Sequence, residues 1–198
     1  GQDLKRLKRL LDQKGIDRVY LSYFGTADPC HYYIKPVDLP GYPGFPSGCA
    51  IRQGNLRTDF IAISATNLQS VYLADKTSFN WLKAYQPAAQ IGYSIFVYDI
   101  KGDSPAHSQL GLVYLKYGML EHAISEFKLV TELTPDNSMA FANLGLVYSL
   151  TSLFEKAEGA YRGALRLDPE NKAAKEGLKG LKRIAAQVEL SGLHGYPT

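Results

Sequence analysis

The sequence predicts two fold classes joined end to end. Residues 1–103 read as a small α/β domain with a largely parallel sheet and flanking helices. Residues 104–190 read as an all-α superhelix of two repeats (104–137 and 138–171) and a capping helix (172–190), and 191–198 as a flexible tail. Two observations carry this. In the second half Leu110, Gly111, Tyr114, Ala123, Phe127 and Pro135 recur 34 residues later as Leu144, Gly145, Tyr148, Ala157, Tyr161 and Pro169. A fixed period of that length marks a helical hairpin that stacks on copies of itself. The first half instead alternates helical and strand signals, the pattern of an α/β layer.

The first helix has Asp3 as a candidate N-cap and Leu4, Leu7, Leu10 and Leu11 on one face, with Gly15 as its left-handed stop. Val19–Phe24 reads as a buried strand, Phe60–Ile63 as a second and Ile91–Ile100, rich in β-branched and aromatic residues, as a third. Short helices fit Asn67–Leu73 and Phe79–Tyr85, the latter capped by Thr77 or Ser78 and ended before Pro87. Three strands make a narrow sheet, which a strand upstream of Gly1 would widen. The chain opens almost directly on a helix without a Met, so it reads as a piece of something longer.

Residues 25–59 are unusual. This segment holds Pro29, Pro36, Pro40, Pro43 and Pro46 with Tyr32, Tyr33, Tyr42 and Phe45, a mixture that either covers the sheet or docks a ligand. Within it Cys30 and Cys49 flank a Pro/Gly/Tyr-rich loop, as two free thiols or as a disulfide that would stabilise the fold by roughly 3 kcal/mol. With His31 they are poor metal ligands, since no C-x-x-C pair and no fourth ligand is evident. Ligands of open α/β sheets sit beyond the carboxyl ends of strands. Thr26 and Asp28 after the first strand, and Ser64, Thr66, Asn67 and Gln69 after the second, are therefore candidates for one polar crevice. Their plainer roles are a turn at Asp28 and a helix cap at Asn67.

Composition excludes little. The net charge of +3 is too weak to imply nucleic-acid binding. The small basic excess lies in the first half, partly in Lys5, Arg6, Lys8 and Arg9 on the first helix, either a solvated face or one that lies against anionic lipid. No apolar run approaches the roughly 20 residues that span a bilayer. No dinucleotide, P-loop or nucleophile-elbow motif is present. His31, His107, His122 and His194 have no acid or nucleophile at a recognisable spacing. No catalytic residue, metal or cofactor is assigned.

Four stretches of the first half, Gly1–Leu7, Leu21–Pro29, Ile63–Gln69 and Ile91–Tyr98, resemble the soluble C-terminal region of membrane glycosyltransferases of the mannosyltransferase-like class that uses polyprenyl-phosphate-linked sugars. The resemblance covers about residues 1–100. It implies a location on the extracytoplasmic face of the membrane, with a catalytic membrane part elsewhere in the parent. A competing hypothesis to scaffolding gives the polar crevice a ligand, an acceptor glycan or a lipid-linked sugar headgroup held for that part. An oxidising location favours a Cys30–Cys49 disulfide. The alternative is a cytoplasmic adaptor.

In the second half, helices fit Pro105–Tyr117, Leu120–Leu133, Ser138–Leu150 and Phe154–Leu167. These units resemble tetratricopeptide repeats. Gly111 and Gly145 let paired helices approach, Ala123 and Ala157 are their small partners, and Tyr114, Phe127, Tyr148 and Tyr161 fill the layers. In the capping helix, Leu178 keeps the repeat's apolar position while Lys179 replaces the glycine and Lys182 the tyrosine. Two repeats and a cap fall short of the usual three for stability, so the N-terminal half is expected to pack on the first repeat.

The resemblance implies a concave groove for a protein or peptide. Repeat positions place Ser108, Gln109, Leu112 and Leu115 in it from the first unit, Ala142, Asn143, Leu146 and Ser149 from the second, and Glu176, Gly180 and Arg183 from the cap. Some relatives clamp a terminal carboxylate there. Only Asn143 matches that pattern; Ser108, Leu112, Ala173 and Gly177 depart from it. A largely apolar groove suits a helix or an extended hydrophobic segment, or else a second copy of the chain or the chain's own tail. The reading is a non-enzymatic scaffold that recruits a protein partner.

Overall fold

In a computed structural model, the described residues are 2–41, 49–51, 54 and 56–193, with backbone alone for 188–193. Tyr42, Pro43, Phe45, Pro46, His194 and most of the expected tail lie outside them.

Helix α1 (Gln2–Gln13) buries Leu4, Leu7 and Leu11, spaced so that one face is apolar. Each contributes about 1.5–3 kcal/mol by leaving water. Gly15, at φ +66°, turns the chain out of the helix. Asp3 is not an N-cap. It stands inside the first turn, where its carboxylate accepts from Ser94 Oγ (2.6 Å) and Arg6 Nη1 (3.0 Å).

The sheet has five strands: β1 (Val19–Ser22), β2 (Pro36–Asp38), β3 (Phe60–Ser64), β4 (Ala89–Ile91) and β5 (Ile95–Asp99), in the order β2-β1-β3-β5-β4. It is mixed: β1 runs parallel to β2 and β3, while β5 is antiparallel to β3 and β4. The two strands beyond the expected three arise inside the chain. Pro36 opens β2 at the sheet edge, where its missing N–H costs no ladder bond. Ile91–Ile100 is not one strand, because Gly92 (φ +56°) folds it into the β4–β5 hairpin.

Two of the short helices also differ. Helix α2 is only Ala65–Leu68, with Asn67 buried inside it rather than capping it. Residues Asn80–Ala84 form a 3-10 turn instead of a longer helix. The hydroxyls of Thr77 and Ser78 donate to the Asp75 carboxylate (2.8 and 3.1 Å), and the position before the turn is Phe79, with no side-chain cap bond.

Strand side chains alternate between two buried faces. On one, Val19, Leu21, Ala62, Ile95 and Val97 meet the leucines of α1. On the other stand Tyr20, Ile61 and Tyr98, matched across β1, β3 and β5 by register. This second face is met by the first repeat helix, α3 (Ser104–Lys116). The Tyr114 ring lies 6.5 Å from that of Tyr20. Polar contacts fasten the same helix: Lys116 Nζ to Asp75 Oδ2 (2.6 Å), Tyr117 OH to Ser78 Oγ (3.0 Å), and Tyr85 OH to the Asp103 carboxylate (3.2 Å). The Lys116 ammonium, with the Thr77 and Ser78 donors, holds the Asp75 carboxyl well below its ordinary range. His107 and His122 are buried packing residues. The His122 ring lies 4.9 Å from that of Tyr114, and burial lowers its pKa.

The remaining helices are α4 (Leu120–Leu133), α5 (Ser138–Leu150), α6 (Phe154–Leu167) and α7 (Lys172–Leu193), the last running three residues past the expected end of the cap. By contact density the chain divides into two units, 1–125 and 126–198, so the first carries α3 and the start of α4 together with the sheet.

Candidate functional site

In the second unit, close helix packing is set by glycines facing rings. A methyl group on Gly145 of α5 would lie 2.7 Å from Tyr161 of α6, and one on Gly177 of α7 would lie 2.2 Å from it. The ring is 3% exposed and is wedged between these two backbones. Phe141 of α5 stands in the same way against Gly163 of α6 (3.2 Å). Caps recur with the repeat. Asp103, Asn137 and Asn171 accept from Ala106, Ala140 and Ala174 N at 2.8, 3.1 and 3.0 Å, opening α3, α5 and α7. Asn171 is buried and also donates to Ser138 Oγ (3.2 Å), tying the start of α7 to that of α5.

This packing decides what α5 shows to solvent. Ala142 is buried and lines no surface, which corrects its expected place in the groove. Asn143 is half-buried, Leu146 is 41% exposed, and Ser149 is half-buried with its hydroxyl bonded to Gly145 O (2.9 Å). Met139 and Leu150, which the repeat count missed, are 54% and 55% exposed. Met139, Asn143, Leu146 and Leu150 are spaced i, i+4, i+7, i+11 and form one stripe on the helix. On α7, Ile184 is an exposed apolar residue and Arg183 is exposed beside it. In the first unit, Leu112 of α3 has the repeat position of Leu146 and is likewise exposed. Gln109 is exposed, while Ser108 and Leu115 are half-buried.

Part of the expected crevice beyond β1 and β3 is taken up by a bonded polar node. Ser22 Oγ donates to Pro40 O (2.7 Å) and accepts from Asn67 Nδ2 (3.0 Å). Gly41 lies so close that a methyl group there would sit 2.6 Å from Ser22 Oγ. Ser64 Oγ accepts from Phe24 N (3.0 Å), and Asp28 caps the 3-10 turn Pro29–Tyr32 by accepting from Cys30 N (2.9 Å). Ser22 was not singled out from the sequence. Thr26, Asp28 and Gln69 remain exposed, and Thr66 is half-buried. Cys30 and Cys49 are joined as a disulfide, with Cα atoms 5.7 Å apart, so neither offers a thiolate to a metal. Among the described residues no group of three His, Cys, Asp or Glu side chains could hold a metal ion, and no helix is long and apolar enough to cross a membrane.

A tetratricopeptide repeat model matches residues 104–137 and 140–171, the helices α3 to α6. No curated protein matches the chain. The chain thus carries two tetratricopeptide repeats, units that generally bind protein or peptide segments and are typically not catalytic.

Proposed function

We propose that the chain is a protein-binding scaffold whose docking face is the α5 stripe. The observation that carries this is the solvent-facing set Met139, Leu146 and Leu150 on a helix that already buries its other side against α6. Exposed apolar rows on a repeat helix suit the apolar face of a partner helix or an extended hydrophobic segment, with Asn143 as a polar anchor. The test is selection of amphipathic peptides from a displayed library against the whole chain, followed by NMR mapping. Binders should shift α5 resonances, and Leu146→Glu with Leu150→Glu should abolish binding while leaving the circular dichroism spectrum unchanged. Binders that map elsewhere, or that survive the double substitution, refute the reading.

A finer reading places this scaffold outside the cytoplasm, as the soluble extension of a membrane glycosyltransferase. What supports it is the resemblance of residues 1–100 together with the Cys30–Cys49 disulfide, a bond that persists in oxidising compartments. Thiol trapping of the protein from its native source tests the location; two free thiols there would overturn it.

A further inference from the structure

We infer that the outer face of α1 is a binding site for a phosphate-bearing ligand. Gln2, Lys5, Arg6 and Arg9 are spaced i, i+3, i+4, i+7, opposite the buried leucines, so their side chains rise from one face. Together with Tyr32 they wall a concavity of about 520 Å³. A merely solvated basic helix would scatter its charge. Here Lys8 is turned away and paired with Asp12, and the other three cations share one hollow that no acidic side chain among the described residues lines.

The charge in that hollow is largely unspent. Among the described residues no acidic side chain pairs with Lys5 or Arg9. Arg6 pairs with Asp3, but that carboxylate also accepts from Ser94 Oγ at the β4–β5 turn. The cavity volume falls within the range of small-molecule sites. Two guanidinium forks and an ammonium suit the several oxygens of a phosphoryl group better than the two of a carboxylate. The first turn of α1 adds positive potential of the same sign.

Tyr32 gives the hollow a wall against which a sugar or glycerol moiety can lie. It is held at two points. The 3-10 turn that carries it is capped by Asp28, and the neighbouring Cys30 is bonded to Cys49. Such a group can arrive as a free phosphorylated molecule or as a lipid headgroup, and the chemistry of recognition is the same.

The test uses the whole chain and two probes. Calorimetric titration with glycerol 3-phosphate reports the free form. Co-sedimentation with vesicles of phosphatidylglycerol and phosphatidylcholine in equal parts, against phosphatidylcholine alone, reports the headgroup. Lys5→Gln with Arg9→Gln should weaken binding by about tenfold or more, since two charge-assisted contacts are lost. Tyr32→Leu should weaken it severalfold at unchanged charge. Lys128→Gln with Lys172→Gln, the same charge change on exposed positions elsewhere, should leave it unaltered. Saturable binding of glycerol 3-phosphate with these sensitivities identifies a free ligand; binding confined to the anionic vesicles with the same sensitivities identifies a headgroup. No binding to either probe, equal loss in the control pair, or indifference to Tyr32→Leu overturns the site.

Discussion

Replacing Gly177 with alanine should destabilise the protein, although alanine is the better helix former. The new methyl group would start 2.2 Å from Tyr161 Cζ and 2.5 Å from two further ring carbons, far inside contact distance. The ring has little room to retreat, since the Gly145 backbone stands on its other side, with a Cβ position 2.7 Å away. Overpacking of this kind costs about 1–3 kcal/mol, and a position this tight belongs at the upper end. The gain in helix propensity returns about 1 kcal/mol, leaving a net loss of about 2 kcal/mol. Gly180, three residues on in the same helix, has nothing within 4 Å of its Cβ position. Gly180→Ala should therefore stabilise by about 0.5–1 kcal/mol. Guanidinium chloride titrations of the full chain, followed by circular dichroism, measure both. A double-mutant cycle with Tyr161→Val should show that Gly177→Ala costs less once the ring is gone. If Gly177→Ala is as stable as Gly180→Ala, the wedge does not govern the packing of α7.

Asn171→Ala should cost about 1–2 kcal/mol by removing both the cap of α7 and the bond to Ser138, and more than Asn137→Ala, which removes a cap alone; denaturant midpoints compare them. Acid should act in two steps in a stability–pH profile. Burial lowers the pKa of His122 in the fold, so the unfolded chain binds the proton more readily, and stability falls as pH drops below about 6.5; His122→Gln should flatten that limb. The Asp75 carboxyl is also lowered, chiefly by Lys116, so its contribution is present above the ordinary carboxylate pKa of about 4 and is lost as pH falls further; Asp75→Asn should weaken this lower limb, to which the lowered Asp17 and Glu176 also contribute. Reducing the Cys30–Cys49 bond frees a loop of sequence separation 19 and should lower stability by about 3 kcal/mol, seen as an earlier thermal transition in reductant.

The repeat helices were the most legible part. Helices α4, α5 and α6 begin and end where the 34-residue period and its turn residues place them, and α3 differs by one residue at each end. Period alone tells less about the capping helix. The start of that helix keeps the period, since Asn171 and Lys172 follow Asn137 and Ser138 by 34 residues, but Lys179 stands where the repeat has glycine, and the contact of Gly177 with Tyr161 was not foreseen. Counting positions also misjudged α5. Neighbouring helical positions differ by about 100° in direction, enough to place Ala142 in the interior and Met139 in solvent. In the first half, local patterns found β1 and β3 but not the hairpin break at Gly92 or the edge strand opened by Pro36, since partner choice in a sheet is a long-range matter. The bond between Asn67 and Ser22, 45 residues apart, was not legible in the sequence for the same reason.

The docking of α3 on the sheet has an evolutionary corollary. A stack of hairpins normally hides its first face behind a polar-backed terminal unit; here the sheet face that carries Tyr20 supplies that shelter. Duplication of a 34-residue module ahead of Asp103 would have to displace a tyrosine-lined β surface, whereas duplication between α6 and α7 meets only another copy of the same joint. Lengthening of such an array is therefore polarised, and variation in the number of modules among descendants of this architecture should accumulate on the side away from the strands.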